Sequence, residues 1–420
     1  MGECLAMLES PLALLRRLPG TVQLLVAGTF VNKAGSFILP FLTLVLAHDF
    51  HMSSGETAGL VMAYGVGSLV SIIIGGVLTD RLGRRQTLML SLFGSGALAV
   101  AMGLAPSVRV FVPLLLLFGF LADLYRPASS AIISDLLPSG ERAMGFAALR
   151  VAVNLGFAVG MALGGVLVGW SWRVLFVADG LTTAAFGAIV FAKIVETRPV
   201  LAADAKSGGA MSVLRDGVYA QLLLASLGFS ILIFSFVTVL PLTITQSGHY
   251  PAWVYGSLVA VNGAMITLFE VSAVAFLTRF RRLRVAALGM LITGLGFALT
   301  GFVPHWSWYL LSVVLWSGGE ILTIPQQMAF IADWAPAEAR GRYLGFYGAT
   351  WSLGFAINPL LTLPLHARLP EAVFYPLLLL LVAPSALMLR RLDQRADRPE
   401  LLRGRGGPVP PVLATPCTEP

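Results

Sequence analysis

Long apolar runs recur along the whole of this 420-residue sequence, and they restrict its fold more than any other feature. Runs longer than about 18 residues can cross a hydrocarbon core of roughly 30 Å as helices. Only 12% of the residues are charged and the mean hydropathy is +0.84, whereas a soluble domain carries about 25% charged residues. The sequence therefore predicts an all-α, multi-pass membrane protein. Twelve spans are expected at approximately 21–47, 56–79, 87–105, 110–134, 143–169, 173–195, 217–246, 252–277, 285–304, 306–332, 342–366 and 371–390.

The basic residues are distributed unevenly between alternate loops. With twelve spans, 22 of the 28 Lys and Arg residues fall on the side that holds both termini, and the opposite loops contain only Arg109, Arg173 and Arg368. Loops rich in Lys and Arg stay in the cytoplasm. The pattern predicts cytoplasmic termini in a bacterial-type inner membrane. It also supports the span count, because one missed span would invert every later loop.

The polar segments divide the chain into five predicted parts. Residues 1–20 place acids before arginines, the reverse of a secretory signal peptide, and are expected to form a cytoplasmic segment. We predict a six-helix bundle over 21–195, a cytoplasmic linker over 196–216 and a second six-helix bundle over 217–390. The cytoplasmic tail, 391–420, is rich in Arg, Pro and Gly, and this composition predicts disorder.

An internal repeat relates the two predicted bundles. At an offset of 198 residues, Asp135 matches Asp333 and Arg84 matches Arg282, and the tetrapeptide LGFA occurs twice at the same offset. Internal six-helix repeats are typical of transporters whose site lies between two pseudo-symmetric halves.

The stretch GVLTDRLGRR places glycines, one acid and three arginines between the second and third spans. It resembles the G-x-L-x-D-R-x-G-R-R signature of the major facilitator superfamily, and the resemblance covers the chain except its ends. It implies twelve helices in two pseudo-symmetric six-helix bundles, with a cytoplasmic gate at this loop. Gly76 is expected to allow close helix approach, Gly83 to form the turn, and Arg84 to reach Asp135. The predicted gate consists of Gly76, Asp80, Arg81, Gly83, Arg84, Arg85 and Asp135.

The second-half copy of this stretch, VAFLTRFRRL, is eroded. Thr278 stands in place of the acid, and Val274 stands in place of the first glycine. We therefore expect the stronger gate in the first half.

A second glycine pattern, GFAVGMALGG, lies in the fifth span. It is similar to the G-x-x-x-G-P-x-x-G-G motif of the drug:proton antiporter branch, although Met161 replaces the proline of that motif. Small residues at four-residue spacing let two helices approach closely. The resemblance implies a helix-packing role for Gly156, Gly160, Gly164 and Gly165.

Four acidic residues lie inside predicted spans, where a charge at the helix centre costs roughly 2.5–3.5 kcal/mol. Glu320, Asp123, Glu270 and Asp179 are therefore candidates for proton coupling. Glu320 is the first choice, because a carboxyl group in apolar surroundings favours its neutral form. Asp123 lies 197 residues before it, close to the repeat offset. Structural roles stay open: an ion pair of Asp123 with Arg126 one turn away, and a hydrogen bond between Glu320 and a neighbouring amide.

Basic, amide and aromatic side chains inside the spans are candidates for a substrate cavity. Buried cations either bind an anionic substrate or neutralise nearby acids, and buried amides and rings either line a cavity or only pack. Lys33 can also extend toward the membrane surface. The candidate set is Asn32, Lys33, Tyr125, Arg126, Arg150, Asn154, Asn262 and Trp316.

These features predict a secondary active transporter and not an enzyme. The expected activity is proton-coupled efflux of small amphipathic, drug-like molecules by alternating access, with metabolite uptake or lipid export by the same fold as the alternative. An intramembrane enzyme needs a nucleophile–base pair within the spans, but all five histidines lie on or near the outer face and both cysteines lie near the chain ends. The expected partners are a small-molecule substrate, protons and the lipid bilayer. We expect a monomer that uses the proton gradient, with no metal, cofactor or nucleic acid.

Overall fold

The computed structural model describes residues 18–138, 142–197, 210–277, 279–335 and 340–396. In these ranges the regular structure is helical throughout. Eleven of the described helices are long and apolar enough to cross a membrane, and a twelfth helix, Arg340–His366, has a comparable length of 27 residues. The predicted all-α class with twelve spans is confirmed. Most of the predicted N-terminal segment and linker, and nearly all of the predicted tail, lie outside the described residues.

The twelve helices follow one another with short connections. In chain order they are α1 (Gly20–His48), α2 (Ser54–Arg81), α3 (Arg84–Gly103), α4 (Val108–Leu136), α5 (Arg142–Trp170), α6 (Trp172–Lys193), α7 (Gly217–Ser247), α8 (Ala252–Leu277), α9 (Arg282–Thr300), α10 (Trp306–Trp334), α11 (Arg340–His366) and α12 (Glu371–Gln394).

Two helices of the first half are interrupted near their middle. α1 consists of Gly20–Ala34 and Ile38–His48, and α4 consists of Val108–Ala122 and Tyr125–Leu136. A break frees backbone N–H and C=O groups at membrane depth, where water is absent and other groups of the protein must satisfy them. In transporters, discontinuous helices of this kind mark binding sites.

Polar side chains define the starts of two other helices. At the start of α2, the Ser53 hydroxyl accepts a hydrogen bond from the Glu56 N–H at 3.3 Å, and Glu56 Oε2 accepts one from the Ser53 N–H at 2.9 Å. This capping box satisfies two backbone donors at the helix end. At the start of α7, Asp216 Oδ1 accepts hydrogen bonds from two backbone N–H groups at 3.0 and 3.1 Å.

Glycines set the distance between neighbouring helices. A Cβ at Gly96 in α3 would lie 2.9 Å from the carbonyl oxygen of Gly180 in α6, and one at Gly319 in α10 would lie 2.5 Å from that of Gly289 in α9. Close backbone packing is the main source of helix association in a bilayer, since lipid tails are as apolar as the side chains. In the first unit, buried apolar side chains form a core made of Leu18, Val22, Leu25, Val26, Leu88, Leu92, Tyr125, Ala128, Ile132, Ile133, Leu137, Ala148, Ala152, Phe186, Val190 and Ile194.

The chain divides into two compact units. The first unit contains the described residues up to Thr197 together with Val237–Thr267, and the second contains the remaining described residues. The contacts thus place the end of α7 and much of α8 in the first unit. The division at the linker 196–216 is based on the sequence repeat and stays a prediction.

Candidate functional site

The break in α1 is held by a carboxylate from α6. Oδ2 of Asp179 accepts hydrogen bonds from the backbone N–H groups of Phe37 and Ile38 at 2.9 and 3.0 Å. A carboxylate at a helix N-terminus satisfies orphan donors and interacts favourably with the helix dipole. The break requires a glycine, because a Cβ at Gly35 would lie 1.8 Å from Oγ1 of Thr182. Asp179 therefore caps the second segment of α1.

A short hydrogen-bond chain continues from this cap toward the first segment of α1. Thr183 Oγ1 donates to Asp179 Oδ1 at 3.4 Å, and Asn32 Nδ2 donates to Thr183 Oγ1 at 2.9 Å. Asn32 and Asp179 are both buried, at 7% and 4% exposure. Both oxygens of Asp179 and the amide nitrogen of Asn32 are thus engaged within the first unit.

The break in α4 centres on Asp123. Oδ1 of this residue lies 2.6 Å from Nε of Arg126, and Oδ2 accepts a hydrogen bond from the Ser68 hydroxyl in α2. The freed backbone groups are satisfied from α3, because the Ser91 hydroxyl donates to the Leu121 carbonyl at 2.7 Å and accepts from the Tyr125 N–H at 3.2 Å. The local ion pair of Asp123 with Arg126 is therefore present.

Lys33 connects the two breaks. Its Nζ lies 5.5 Å from the centre of the Tyr125 ring, a distance typical of a cation–π contact. Helix α5 packs closely on this residue, since a Cβ at Gly156 would lie 2.8 Å from Cβ of Lys33. The charge cluster of the first unit, at the two breaks, comprises Lys33, Asp123, Arg126 and Asp179.

The predicted glycine pattern of α5 lies at two helix contacts. Gly156 and Gly160 face the backbone of α1, and a Cβ at Gly164 would lie 2.6 Å from the Phe41 ring of the same helix. Gly165 instead faces α8, where a Cβ would lie 2.8 Å from Cα of Trp253. All four glycines thus occupy positions with little room for a side chain.

The remaining site candidates lie on α5, α8 and α10. Arg150 and Asn154 are partly buried on α5, and Asn262 is 5% exposed on α8. Glu270 and Glu320 are partly buried in the second unit, on α8 and α10, and each has an interaction partner.

Trp316 does not lie on a cavity wall. Its side chain is fully buried in the second unit, with ring centres of Phe236 and Phe297 at 5.8 and 5.5 Å and near-parallel planes. The cavity prediction for Trp316 is corrected to a packing role, which its size and apolar surface favour.

The predicted gate residues meet where α2 and α3 join. Gly83 has a φ of 109° and forms the turn. Nε of Arg84 lies 2.9 Å from Oδ2 of Asp135 at the end of α4, and its Nη1 lies 3.6 Å from Oδ1 of Asp80. The Arg84 side chain is 9% exposed. Arg81 is exposed.

The close helix approach predicted for Gly76 is made instead by Gly75, which faces α4. A Cβ at Gly75 would lie 3.0 Å from the Leu124 carbonyl oxygen, whereas the space around Gly76 is open among the described residues. Adjacent helical residues point about 100° apart, so only one of the two glycines can face α4. This corrects the role of Gly76.

Glu196, just after α6, belongs to the same cluster of contacts and was not predicted from the sequence. Its two carboxylate oxygens accept hydrogen bonds from the backbone N–H groups of Arg84 and Arg85 at 2.9 and 3.2 Å. It therefore caps α3. Arg85 donates through Nη2 to the Phe191 carbonyl at 2.7 Å, and Thr197 donates to Asp135 at 3.2 Å.

A corresponding cluster occurs in the second unit. Arg282 Nη1 lies 2.8 Å from Oδ2 of Asp333, and Asp393 Oδ2 lies 2.7 Å from Arg284 and 3.3 Å from Arg281. Asp393 lies 197 residues after Glu196, close to the repeat offset of 198. An acid at the end of the last helix of each half was the signal that could have revealed both residues.

Comparison with known proteins identifies the family. A family model described as Major Facilitator Superfamily matches residues 24–359, and a second match covers 254–414. The chain is 29% identical over 385 residues to the uncharacterized MFS-type transporter YttB of Bacillus subtilis (strain 168), covering 89% of this chain and 95% of that protein.

Two further relatives carry functional names. A Na(+), Li(+), K(+)/H(+) antiporter of Planococcus maritimus is 24% identical, with 82% of this chain and 88% of that protein covered. The multidrug resistance protein MdtH of Yersinia enterocolitica is 25% identical, with 68% and 71% covered.

The fold agrees with this assignment. The crystal structure of a POT family transporter in complex with 5-aminolevulinic acid superimposes with a TM-score of 0.76 at 15% identity, covering 90% of this chain and 96% of that one. Membership of one family explains the helices, the internal repeat and the GVLTDRLGRR loop. This chain is a multi-pass membrane transporter that belongs to the Major Facilitator Superfamily.

Proposed function

We propose that this transporter exports small amphipathic molecules across a bacterial-type cytoplasmic membrane in exchange for protons. The observation that carries the proposal is the set of carboxylates within the membrane-spanning helices: Asp123 at the break of α4, Glu270 on α8 and Glu320 on α10. Carboxyl groups at such positions are costly unless they serve a pathway, a pair or a proton relay. The names of the two relatives, a cation/proton antiporter and a multidrug resistance protein, support both halves of the proposal.

In the proposed mechanism Glu320 exchanges protons, with Asp123 and Glu270 contributing to the same step. Protonation removes a charge and lets the carboxyl group move through a low dielectric. Asp179 was also a candidate, but one of its oxygens accepts the backbone N–H groups of Phe37 and Ile38 at the break in α1. We assign Asp179 to capping α1 rather than to proton exchange.

The proposed gate is the cluster of Asp80, Arg84, Asp135 and Glu196. By the distribution of Lys and Arg it lies on the cytoplasmic side. This gate would stabilise the outward-open state, and its ion pairs would separate on protonation or on release of substrate. The protein would act as a monomer and would need no cofactor besides the proton gradient.

Everted membrane vesicles test the proposal. With the chain in the membrane and an inside-acid gradient, we expect accumulation of an amphipathic fluorescent dye that collapses on addition of a protonophore. Vesicles carrying an Asp123→Asn, Glu320→Gln double variant at equal abundance are the control. Equal dye accumulation in wild-type and control vesicles would contradict proton-coupled export.

A second candidate function is exchange of monovalent cations for protons, which the name of the Planococcus maritimus relative favours. The same vesicles distinguish it. Addition of Na⁺ or K⁺ without any organic substrate would dissipate the pH gradient in cation exchange, whereas the gradient would persist in a transporter restricted to organic molecules.

A further inference from the structure

Both acids of the charge cluster already have donors within the protein. Asp123 receives Arg126 on one oxygen and Ser68 on the other. Asp179 receives two backbone N–H groups on one oxygen and Thr183 on the other. Each of the four carboxylate oxygens therefore has at least one donor within the protein.

The donors of the same cluster are mostly unused. Arg126 engages Asp123 through Nε alone, so both terminal nitrogens of its guanidinium lack a hydrogen-bond acceptor among the described residues. The Lys33 ammonium, which carries three N–H donors, contacts the face of the Tyr125 ring. Within the described part of the chain it lacks a carboxylate at ion-pair distance. The cluster thus has unused hydrogen-bond donors on both of its cations.

Arg126 is also accessible. Its side chain is 54% exposed, whereas that of its partner Asp123 is 11% exposed. It lies ten residues before the end of α4 at Leu136, which corresponds to about 15 Å along a helix. A guanidinium at that depth has to face a water-filled space or a ligand, because lipid would not solvate it.

We propose that Lys33 and Arg126 form an oxyanion subsite, with the Tyr125 ring as its apolar wall, and that it binds the carboxylate end of an amphipathic organic anion. Lys33 lies 5.5 Å from the ring centre and Arg126 is the residue after Tyr125. The two cations offer charge-assisted hydrogen bonds to a carboxylate, and the ring would pack against the apolar part of the same molecule. The inference rests on the proposed function and deepens it by naming the substrate class.

Binding of matched probes to the full-length protein in lipid nanodiscs tests the subsite. Three probes share one apolar body and differ in their head group: 4-butylbenzoate, 4-butylbenzyl alcohol and 4-butylbenzylammonium. Isothermal titration calorimetry, with empty nanodiscs subtracted, gives each dissociation constant. We expect the benzoate to bind at least about tenfold more tightly than the other two, the effect of one charge-assisted contact.

Substitutions of Lys33 and Arg126 test whether these two cations cause the preference for the benzoate. Lys33→Gln and Arg126→Gln are each expected to weaken benzoate binding about tenfold and to change binding of the alcohol by less than about twofold. Lys33→Arg keeps the charge and should retain the preference for the benzoate. Arg109→Gln, at an exposed arginine in the first turn of α4, serves as the matched control and should bind all three probes as the wild type does.

Loss of Arg126 leaves Asp123 without its ion pair, so the Asp123→Asn, Arg126→Gln double variant is measured beside it. The double variant removes both charges and should lose the benzoate preference while remaining folded. Tighter binding of the ammonium probe, no measurable benzoate binding, or unchanged benzoate affinity in both Lys33→Gln and the double variant would overturn the subsite. The binding measurement uses no proton gradient, so its result does not depend on whether the protein performs proton-coupled export.

Discussion

Arg282 lies 2.8 Å from Asp333, and both residues of this ion pair follow those of the Arg84–Asp135 pair by 198 positions. The repeat is therefore expressed in the contacts as well as in the sequence. The two pairs differ in burial: the Arg84 and Asp135 side chains are 9% and 17% exposed, and those of Arg282 and Asp333 are 35% and 57% exposed. Solvent screens an exposed pair, so the first-half pair has the larger effect on stability.

Removal of one acid from each pair measures this difference. Asp135→Asn leaves the buried Arg84 partly unpaired and should cost about 1–3 kcal/mol of unfolding free energy. Asp333→Asn should cost less than about 1 kcal/mol, as is usual for exposed pairs. Thermal unfolding of the purified variants checks both values. Equal losses would show that burial does not distinguish the two clusters.

The turn between α2 and α3 depends on Gly83. Its φ of 109° is rarely adopted by residues with a side chain, and a Cβ there would lie 2.4 Å from Oε2 of Glu196. We expect Gly83→Ala to destabilise the protein by about 1–3 kcal/mol. Gly76→Ala is the matched control, because open helical positions gain up to about 1 kcal/mol when glycine becomes alanine. If Gly76→Ala destabilised the protein as much as Gly83→Ala, the assignment of the turn would be wrong.

Capping and proton exchange predict different behaviour for Asp179. Asp179→Asn keeps an acceptor for the Phe37 and Ile38 N–H groups, whereas Asp179→Ala leaves both unsatisfied and should cost about 1–3 kcal/mol more. We expect Asp179→Asn to transport more slowly but with the wild-type pH profile. A pH profile flattened in Asp179→Asn would instead assign this residue to proton exchange.

The sequence predicted the helices, the Gly83 turn and the Arg84–Asp135 contact well, because these have local signals. Apolar runs marked the spans, and the GVLTDRLGRR signature identified Gly83 and Arg84 together with the partner Asp135. The helix breaks were not predicted, because they depend on groups far away in the chain: the Asp179 carboxylate for α1 and the Ser91 hydroxyl for α4.

Errors in the predicted site have similarly specific causes. Gly75 rather than Gly76 contacts α4, since a shift of one residue rotates a helical position by about 100°. Trp316 was assigned to a cavity because aromatic residues inside a span suit either role, and only the enclosing rings of Phe236 and Phe297 decide between them. Ser68 had no sequence signal at all, although its hydroxyl donates to Asp123.

Substitution of Glu320 tests the central claim, that carboxyl groups within the membrane couple transport to protons. In everted vesicles, Glu320→Gln should lose accumulation driven by the pH gradient while retaining substrate exchange without a gradient, because the amide keeps the shape of the side chain but cannot exchange a proton. Glu56→Gln is the control, since a glutamine at this exposed position preserves the capping box of α2. We predict that the transport rate no longer depends on pH in Glu320→Gln, and that Glu56→Gln keeps the wild-type rate and pH dependence. Wild-type pH dependence in Glu320→Gln would contradict it.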